Sequence, residues 1–428
     1  MVIGLGLTGY SVACYLLGHG YDCVVQDDRE RPPFLKQLME KFPQVSVIRQ
    51  SLNENLLQQA DCLVVSPGLS VRTPLMQKAA SSGKRIIGDI ELFAEAVQKP
   101  VLAITGSNGK STVTQLLGDM IAADDKAVAV GGNIGVPALD LLQRDAEFYV
   151  LELSSFQLET THSLKPLAAT VLNVSEDHMD RYDDLADYQR SKQMIYQQAQ
   201  HCISNLDDAL TEHDSADIHF SLTSTQARYH IIEDLVPMLA VNGEGWMKTS
   251  ELKLKGRHNW ANCLAAMALA QCAGISRHAI VETLKTFRGL PHRSQWVADI
   301  NGVSWINDSK GTNPGATRAA VEGLDEPVIL LAGGQSKGAN MGSLCETLRQ
   351  HVKAVLLFGQ DAGLMQQSWQ GCTSLQRVND LSQAVQRASE LAEPGDVVLL
   401  SPACASFDMY SGFVARGEHF ISLVEDLQ

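Results

Sequence analysis

The run Val101-Leu102-Ala103-Ile104-Thr105 leads into Gly106-Ser107-Asn108-Gly109-Lys110-Ser111-Thr112, an order of residues suited to holding a chain of phosphates. An apolar β-type run delivers a glycine loop, and the helix-compatible stretch Lys110–Ala123 leaves it. The open N–H groups of a helix start attract an anion, and glycine lets the backbone approach it closely. Lys110 adds a point charge, and Ser111 or Thr112 a hydroxyl for Mg²⁺. The first glycine stands nearer the lysine than in the common phosphate-loop spacing. The short form Thr-Gly-x-x-Gly-Lys-Ser/Thr should still wrap a triphosphate, which makes ATP the implied ligand. The bland alternative is a tight turn between strand and helix.

A second glycine cluster, Gly4-Leu5-Gly6-Leu7-Thr8-Gly9, follows the apolar pair Val2-Ile3 and fits Gly-x-Gly-x-x-Gly. Asp27 and Asp28 come at the end of the next apolar run, where a dinucleotide site places its ribose-binding carboxylate. Ser66-Pro67-Gly68 could add phosphate donors. The same physics serves NAD or another diphosphate, and a purely structural turn stays open.

Other polar residues fall at the ends of apolar runs. Glu152 closes Phe148-Tyr149-Val150-Leu151 just before Ser154-Ser155, a place for a Mg²⁺ ligand or for an exposed strand-end acid. His178, in Ser175-Glu176-Asp177-His178-Met179-Asp180-Arg181, is either structural or faces the metal. Lys192 lies on an expected helix over 188–199, where spacing alone makes it a solvated surface lysine. Asn259 reads as the N-cap of an Ala-rich helix over 259–272, and Asn262 has the amide needed to read adenine. Residues 308–313, 333–338 and 401–408 are three strand-end loops rich in small residues, Lys and Ser. Together they suggest a pocket for a carboxylate.

The elements that must position these residues alternate between short apolar runs and longer helical stretches, which is α/β layering with parallel strands. Strands are expected at 1–3, 23–26, 45–48, 62–65 and 85–87 in a unit over 1–88. A unit over 89–289 has strands at 101–105, 127–130, 148–153 and 169–174, then helices at 259–272 and 278–286. A unit over 290–428 has strands at 304–307, 328–332, 354–358 and 397–401. Gly289-Leu290-Pro291-His292-Arg293 reads as the hinge before it. A length of 428 residues agrees with two or three domains.

The net charge of −15 argues against nucleic acid as the main partner, since neutralising phosphates needs clustered Lys and Arg. Nine cysteines, odd in number and without a Cys-x-x-Cys pair, read as small buried hydrophobes in a reducing compartment. No secretory leader and no apolar run of roughly 18–20 residues is visible. A cytoplasmic monomer with no membrane span is the expectation.

Taken in order, residues 4–9, Gly88-Asp89-Ile90-Glu91-Leu92-Phe93, and residues 105–112, 173–182, 307–313 and 401–408 resemble the Mur ligase family of ATP-dependent amide-forming enzymes. The resemblance covers nearly the whole chain. It implies a Rossmann-like UDP-binding domain, a central P-loop-type ATPase with a parallel sheet, and a C-terminal Rossmann-like domain that brings an amino acid. It places the UDP-sugar at Leu7, Thr8, Gly9, Asp27, Asp28, Arg29, Ser66, Asn133 and Ser154, in place of NAD. It adds Asn262, Arg293 and Asp308 to the phosphate loop as nucleotide contacts, with Lys110 on the γ-phosphate. Two Mg²⁺ ions would be held by Ser111, Glu152, His178 and Lys192, the last carbamylated by CO₂. Thr312, Lys337, Ser406 and Phe413 would meet D-glutamate.

The reaction implied joins D-glutamate to UDP-N-acetylmuramoyl-L-alanine through an acyl phosphate, in the cytoplasmic stage of peptidoglycan synthesis. Absence of an Asp-Asn-Pro-Arg signature favours D-glutamate over a diamino acid. Gln335, where an acid is expected, and Ser294-Gln295, where an aromatic–acid pair is common, depart from the family pattern. The rivals are another ligase of the family, a folylpolyglutamate synthase, an NAD-dependent oxidoreductase and a non-catalytic nucleotide-binding protein.

Overall fold

The computed structural model describes residues 1–179, 181–254, 256–324 and 326–427; within the motif at 173–182, Asp180 therefore lies outside the described residues. Three α/β domains follow one another, each built on a sheet that is parallel or nearly so. The first sheet contains β1 (Val2–Ile3), β2 (Val24–Asp27), β3 (Ser46–Arg49), β4 (Cys62–Val65) and β5 (Arg85–Ile87), in the order β3-β2-β1-β4-β5. All its pairings are parallel, with Val2 between Val25 and Val64. Strand order reverses at β1, so the loops after β1 and β4 open side by side at the carboxyl ends of their strands. Such a switch point is where open α/β sheets take ligands.

In the central sheet, β7 (Val128–Gly132), β8 (Phe148–Glu152), β6 (Val101–Thr105), β9 (Ala168–Val171), β10 (His201–Asn205), β11 (Ile218–Ser221) and β12 (Tyr229–Ile232) lie in that order, all parallel. Strands β13 (Met238–Val241) and β14 (Glu244–Lys248) come next in the chain. All five residues of β6 are buried, as expected of a strand covered on both faces. The helix Lys110–Ala123 packs Val113, Leu116, Leu117, Met120 and Ile121 inward, at the spacing of one helical face. A single apolar core takes in Val2, Val25 and Val64 of the first sheet with Val101, Ala103, Tyr149 and Leu151 of the second. Met1–Ile231, Ala240–Glu244 and Leu264–Thr283 accordingly form one compact unit.

The other unit comprises Ile232–Leu239, Gly245–Cys263 and Leu284–Gln428. Its sheet has β15 (Gln295–Ile300), β16 (Val303–Asn307), β17 (Val328–Gly333), β18 (Val352–Phe358), β19 (Ser374–Arg377) and β20 (Val397–Leu400), in the order β15-β16-β20-β17-β18-β19. Only β15 is antiparallel to its neighbour. Two cores lie on this sheet, one including Leu330, Val355 and Leu399, the other Leu331, Leu356 and Leu400, so successive residues of each strand serve opposite faces.

Several expectations change. Strands β10 to β14, β15 and β19 were not legible as apolar runs. β15 and β19 are edge strands, half-buried and polar in alternation, and give little signal. The helix expected at 188–199 runs Leu185–Gln193, because Asp184 caps it by accepting from the Asp187 N–H at 2.7 Å. Asn259 is no N-cap, since its helix already begins at Arg257. Cys345 and Cys372 form a disulfide across a Cα–Cα distance of 5.4 Å, contrary to the reading of all nine cysteines as isolated hydrophobes. Packing brings them together over 27 residues of sequence, a separation that leaves no local pattern. Among the described residues no helix is long and apolar enough to cross a membrane.

Candidate active site

The loop after β6 is braced from the loop after β9. Asn173 accepts the Asn108 N–H on its side-chain oxygen at 2.8 Å and the Ser107 N–H on its carbonyl at 2.9 Å. Its amide donates back to the Asn108 carbonyl at 3.1 Å. Gly109 takes φ 81°, the left-handed turn that lets the helix start point into the loop. Lys110 Nζ folds over the loop and donates to the carbonyls of Gly106 at 2.8 Å and Ser107 at 2.9 Å. Such a pose keeps the ammonium against the loop's own carbonyls. Thr112, next along, is buried.

Glu152 is buried at the end of β8, not exposed. Its Oε2 accepts from Ser111 Oγ at 2.5 Å and its Oε1 from Asn133 Nδ2 at 2.9 Å. One carboxylate and one hydroxyl beside a phosphate loop suit Mg²⁺, which takes few protein oxygens and completes its shell with water and phosphate. Among the described residues no group of three or more His, Cys, Asp and Glu is placed to hold a metal, and a Mg²⁺ ion bound in that way requires none.

Lys192 overturns its reading as a surface lysine. It is only 1% exposed, donates to the Gly106 carbonyl at 2.9 Å, and lies 4.4 Å from the Tyr188 ring centroid. Burial, then the Lys110 charge, drives its ammonium well below the usual lysine range. The helix is polar in composition, and the i, i+4 pair Tyr188–Lys192 on its inward side was the one signal available. His178 is half exposed, in the left-handed region at φ 58°, and edge-on to Phe156 at 4.8 Å.

At the first sheet's switch point, a Cβ on Gly9 would lie 1.8 Å from the Gly4 carbonyl oxygen, so the helix Leu7–Gly18 approaches the strand only through glycine. Ser66 Oγ donates to that same carbonyl at 3.1 Å. Leu7 and Thr8 open the helix at partly exposed positions. Asp27 accepts from the Leu5 N–H at 2.7 Å and from Arg29 Nε at 2.8 Å and Nη2 at 2.6 Å. Arg29 pulls the Asp27 carboxyl down to about 2. Asp28 is exposed. Ser154 caps the helix Ser155–Leu158 in a reciprocal box with Gln157.

In the second unit, Asp308 is buried at the end of β16, accepting from Ser401 Oγ at 2.7 Å and the Ser294 N–H at 3.1 Å. Burial pushes its carboxyl up to about 6. The three strand-end loops do come together. Gln335 and Ala405 form an antiparallel bridge, which gives the departure at Gln335 a backbone role. The other departure, Gln295, accepts the His292 N–H at 2.8 Å. Arg416, which sequence reasoning missed, joins all three loops. Its Nε donates to Ser309 Oγ at 3.0 Å, Nη2 to the Ser309 carbonyl at 2.8 Å, and Nη1 to the carbonyls of Gly333 at 3.3 Å and Cys404 at 3.2 Å. An arginine in register with Phe420 and Val424, on the buried face of the helix Phe413–Glu425, was the available signal.

Lys337 adopts φ 49° and places Nζ 5.5 Å from the Phe407 ring centroid. Lys310 Nζ lies 4.0 Å from that of Phe413. Ser406 is buried, and the Thr312 N–H donates to the Lys310 carbonyl at 2.8 Å. Asn262 is buried and donates to Asn259 Oδ1 at 3.0 Å, while the Arg293 N–H donates to the Leu290 carbonyl at 3.2 Å. Asn262, Arg293 and Asp308 belong to the second unit, and Lys110 to the first.

A phosphate loop with a buried carboxylate in one α/β domain, a glycine-rich switch point in the domain before it and a cluster of strand-end loops in the domain after it agree with what comparison finds. Residues 1–88 match the MurD-like N-terminal domain of Mur ligases, 104–270 the Mur ligase middle domain, and 292–404 the Mur ligase glutamate ligase domain. The chain belongs to the Mur ligase family. It is 49% identical over 437 residues to the UDP-N-acetylmuramoylalanine–D-glutamate ligase of Pseudomonas aeruginosa, covering 100% of this chain and 98% of that protein. The fold is shared with the UDP-N-acetylmuramate-alanine ligase of Thermotoga maritima (TM-score 0.63, 20% identity, 100% and 99% of the two chains). It is also shared with a MurF ligase from Thermotoga maritima solved in complex with ADP (TM-score 0.61, 14% identity, 100% and 95%).

Proposed function

We propose that this chain is an ATP-dependent ligase that joins D-glutamate to UDP-N-acetylmuramoyl-L-alanine, in the cytoplasmic stage of peptidoglycan synthesis. The observation that carries the reading is full-length identity of 49% to a relative named for that reaction. The cluster of Lys110, Ser111 and Glu152 supports the ATP half of it.

The muramoyl-alanine carboxylate attacks the γ-phosphorus of ATP, forming an acyl phosphate and releasing ADP. Lys110 is assigned to offset charge on the transferring phosphoryl group, and positioning with electrostatics does most of the work in such transfers. Magnesium, for which Ser111, Glu152 and His178 are the assigned ligands, would supply further neutralisation of phosphate charge. Lys192, buried where the charged ammonium is disfavoured, is suited to taking up CO₂ as a carbamate, which would present oxygens in place of an ammonium. The free amine of D-glutamate then attacks the acyl carbon, and phosphate leaves as the amide forms. Lys337 and the Thr312 and Ser406 hydroxyls are assigned to the D-glutamate carboxylates, with Phe413 beside them. Asn262, Arg293 and Asp308 are assigned to the nucleotide. Leu7, Thr8, Gly9, Asp27, Asp28, Arg29, Ser66, Asn133 and Ser154 are assigned to the UDP-sugar. The domain limits read as 1–88, 89–289 and 290–428, in a cytoplasmic monomer.

Phosphate release from ATP with UDP-N-acetylmuramoyl-L-alanine tests the reading, comparing D-glutamate with L-glutamate, L-alanine and a diamino acid. Release that requires both substrates and only D-glutamate is the expected result. Release with another amino acid would keep the chemistry and change the substrate. Silence with every amino acid would overturn the ligase reading.

A further inference from the structure

Arg72 lies in the loop between β4 and the helix Pro74–Ser81, six residues after Ser66, yet its side chain reaches the central domain. Nε donates to Glu159 Oε1 at 2.8 Å, Nη1 to Asp187 Oδ2, and Nη2 to Asp187 Oδ1 and Ser191 Oγ, both at 3.3 Å. The guanidinium also covers the Tyr182 ring at 4.8 Å. Asp187 and Ser191 belong to the helix Leu185–Gln193, and Ser191 immediately precedes Lys192. Both acids are mostly buried (side chains 7% and 13% exposed), and among the described residues Glu159 Oε2 has no hydrogen-bond partner of its own. One planar fork therefore neutralises two shielded carboxylates, a task a lysine point charge does less well.

The same loop is gripped from the opposite direction. Arg181 donates to the carbonyls of Leu69 at 3.1 Å, Gly68 at 3.4 Å and Pro67 at 3.5 Å, while its guanidinium lies 4.1 Å over Phe156. Arg181 is three residues past His178 and shares the Phe156 ring with it. The 67–72 loop thus contacts the segment 178–192 near both of its ends. Packed rings fill the middle, Tyr182 on Phe156 at 6.0 Å and on Tyr188 at 5.0 Å, and Tyr188 under Lys192.

We propose that Arg72 is a positioning residue that fixes the Lys192 helix to the loop following Ser66, so that occupation of the UDP-sugar site sets the placement of Lys192. This rests on the ligase reading above. Two discrete contact sets, carboxylate–guanidinium on one side and carbonyl–guanidinium on the other, form a physical connection of the kind that can carry coupling between two sites. Arg72 joins the loop after Ser66 to the Lys192 helix.

The test compares wild type with Arg72→Lys, Arg72→Gln and Glu159→Gln, and with Arg190→Gln as a control. Arg190 is exposed and touches the same Asp187 carboxylate from the solvent side at 3.4 Å. Phosphate release gives kcat and the KM of each substrate, and amide hydrogen exchange reads the helix Leu185–Gln193 with and without UDP-sugar. In Arg72→Gln, kcat should fall about 10- to 100-fold, as small misplacements at a reacting centre do. KM for the UDP-sugar should rise several-fold while KM for D-glutamate holds. Arg72→Lys should recover part of kcat, and Arg190→Gln should match wild type. In wild type the UDP-sugar should slow exchange across the helix, and in Arg72→Gln it should not. If Arg72→Gln does not fold, Glu159→Gln, nearly isosteric and without a charge to leave unpaired, carries the same expectations at smaller size. Folded variants with wild-type kcat, or with sugar-dependent protection intact, would overturn the proposal. Wild type that is silent in phosphate release would sink the ligase reading alone, because the exchange experiment decides the coupling without turnover.

Discussion

Lys192 in the first compact unit and Arg416 in the second are both shut away from water, at 1% and 0% exposure, and no ion pair to either occurs among the described residues. Their surroundings make them opposite kinds of group. Lys192 Nζ donates to one carbonyl, that of Gly106, with Lys110 pressing on it electrostatically, and its ammonium is driven well down. Arg416 spreads its charge over hydrogen bonds to Ser309, Gly333 and Cys404, and burial lowers it only to about 10, so it stays charged at neutral pH. A compact ammonium left with few partners holds its proton less tightly. A delocalised guanidinium with five donors keeps its charge when carbonyls surround it. Burial thus weakens the hold on a proton at the lysine beside the phosphate loop, and leaves a charged, rigid tie beneath the strand-end loops.

The largest effect that would break this contrast is on rate. Lys192→Ala should lower phosphate release by about 10²–10³-fold, the scale of losing a preorganised group near the transferring charge. Short carboxylates should restore part of it by standing in for the missing oxygens, and the melting temperature should hardly move. Normal activity without rescue would make Lys192 no more than a buried brace. Arg416→Met should do the reverse, with stability falling by about 2–4 kcal/mol as several buried acceptors lose their donor. Denaturant midpoints measure it, and KM for D-glutamate should rise as the loops loosen. A midpoint equal to wild type would show that the three loops hold together without Arg416.

What the sequence made legible follows from where each signal is local. The phosphate loop, Glu152 at the end of β8 and the strands buried on both faces are written in contiguous residues, and their elements lie within a few positions of expectation. The parallel α/β layering follows from the same alternation. Lys192 was readable only through family resemblance, because its burial depends on which way a polar helix turns. Arg416 and Arg72 left almost no trace, since each acts on residues 12 to 119 positions away along the chain. Edge strands such as β15 and β19 failed for a different reason, half-burial with polar alternation. Cys345 and Cys372 failed because 27 residues and two elements separate them.

The smallest expected effect sharpens the comparison with buried acids in place of buried cations. Asp89 in the first unit and Asp308 in the second are both pushed up to about 6 by burial. Asp89 is held by the Gln157 amide at 3.1 Å, a neutral donor, whereas Asp308 also feels Arg293 and Arg416. Each has a folded-state value above its unfolded value of 3.8, so between about 3.8 and about 6 the folded chain holds protons that the unfolded chain releases. Stability contributed by these two groups is therefore fully present at the acid end and is lost as pH rises through about 6. Asp89→Asn should remove at most one proton's worth of that slope in denaturant melts taken from pH 4 to 7, and should leave KM for ATP unchanged. Asp308→Asn should flatten the slope to a similar degree and raise KM for ATP as well. Equal kinetic behaviour of the two variants would dissolve the distinction between a buried acid that serves packing and one that serves the nucleotide.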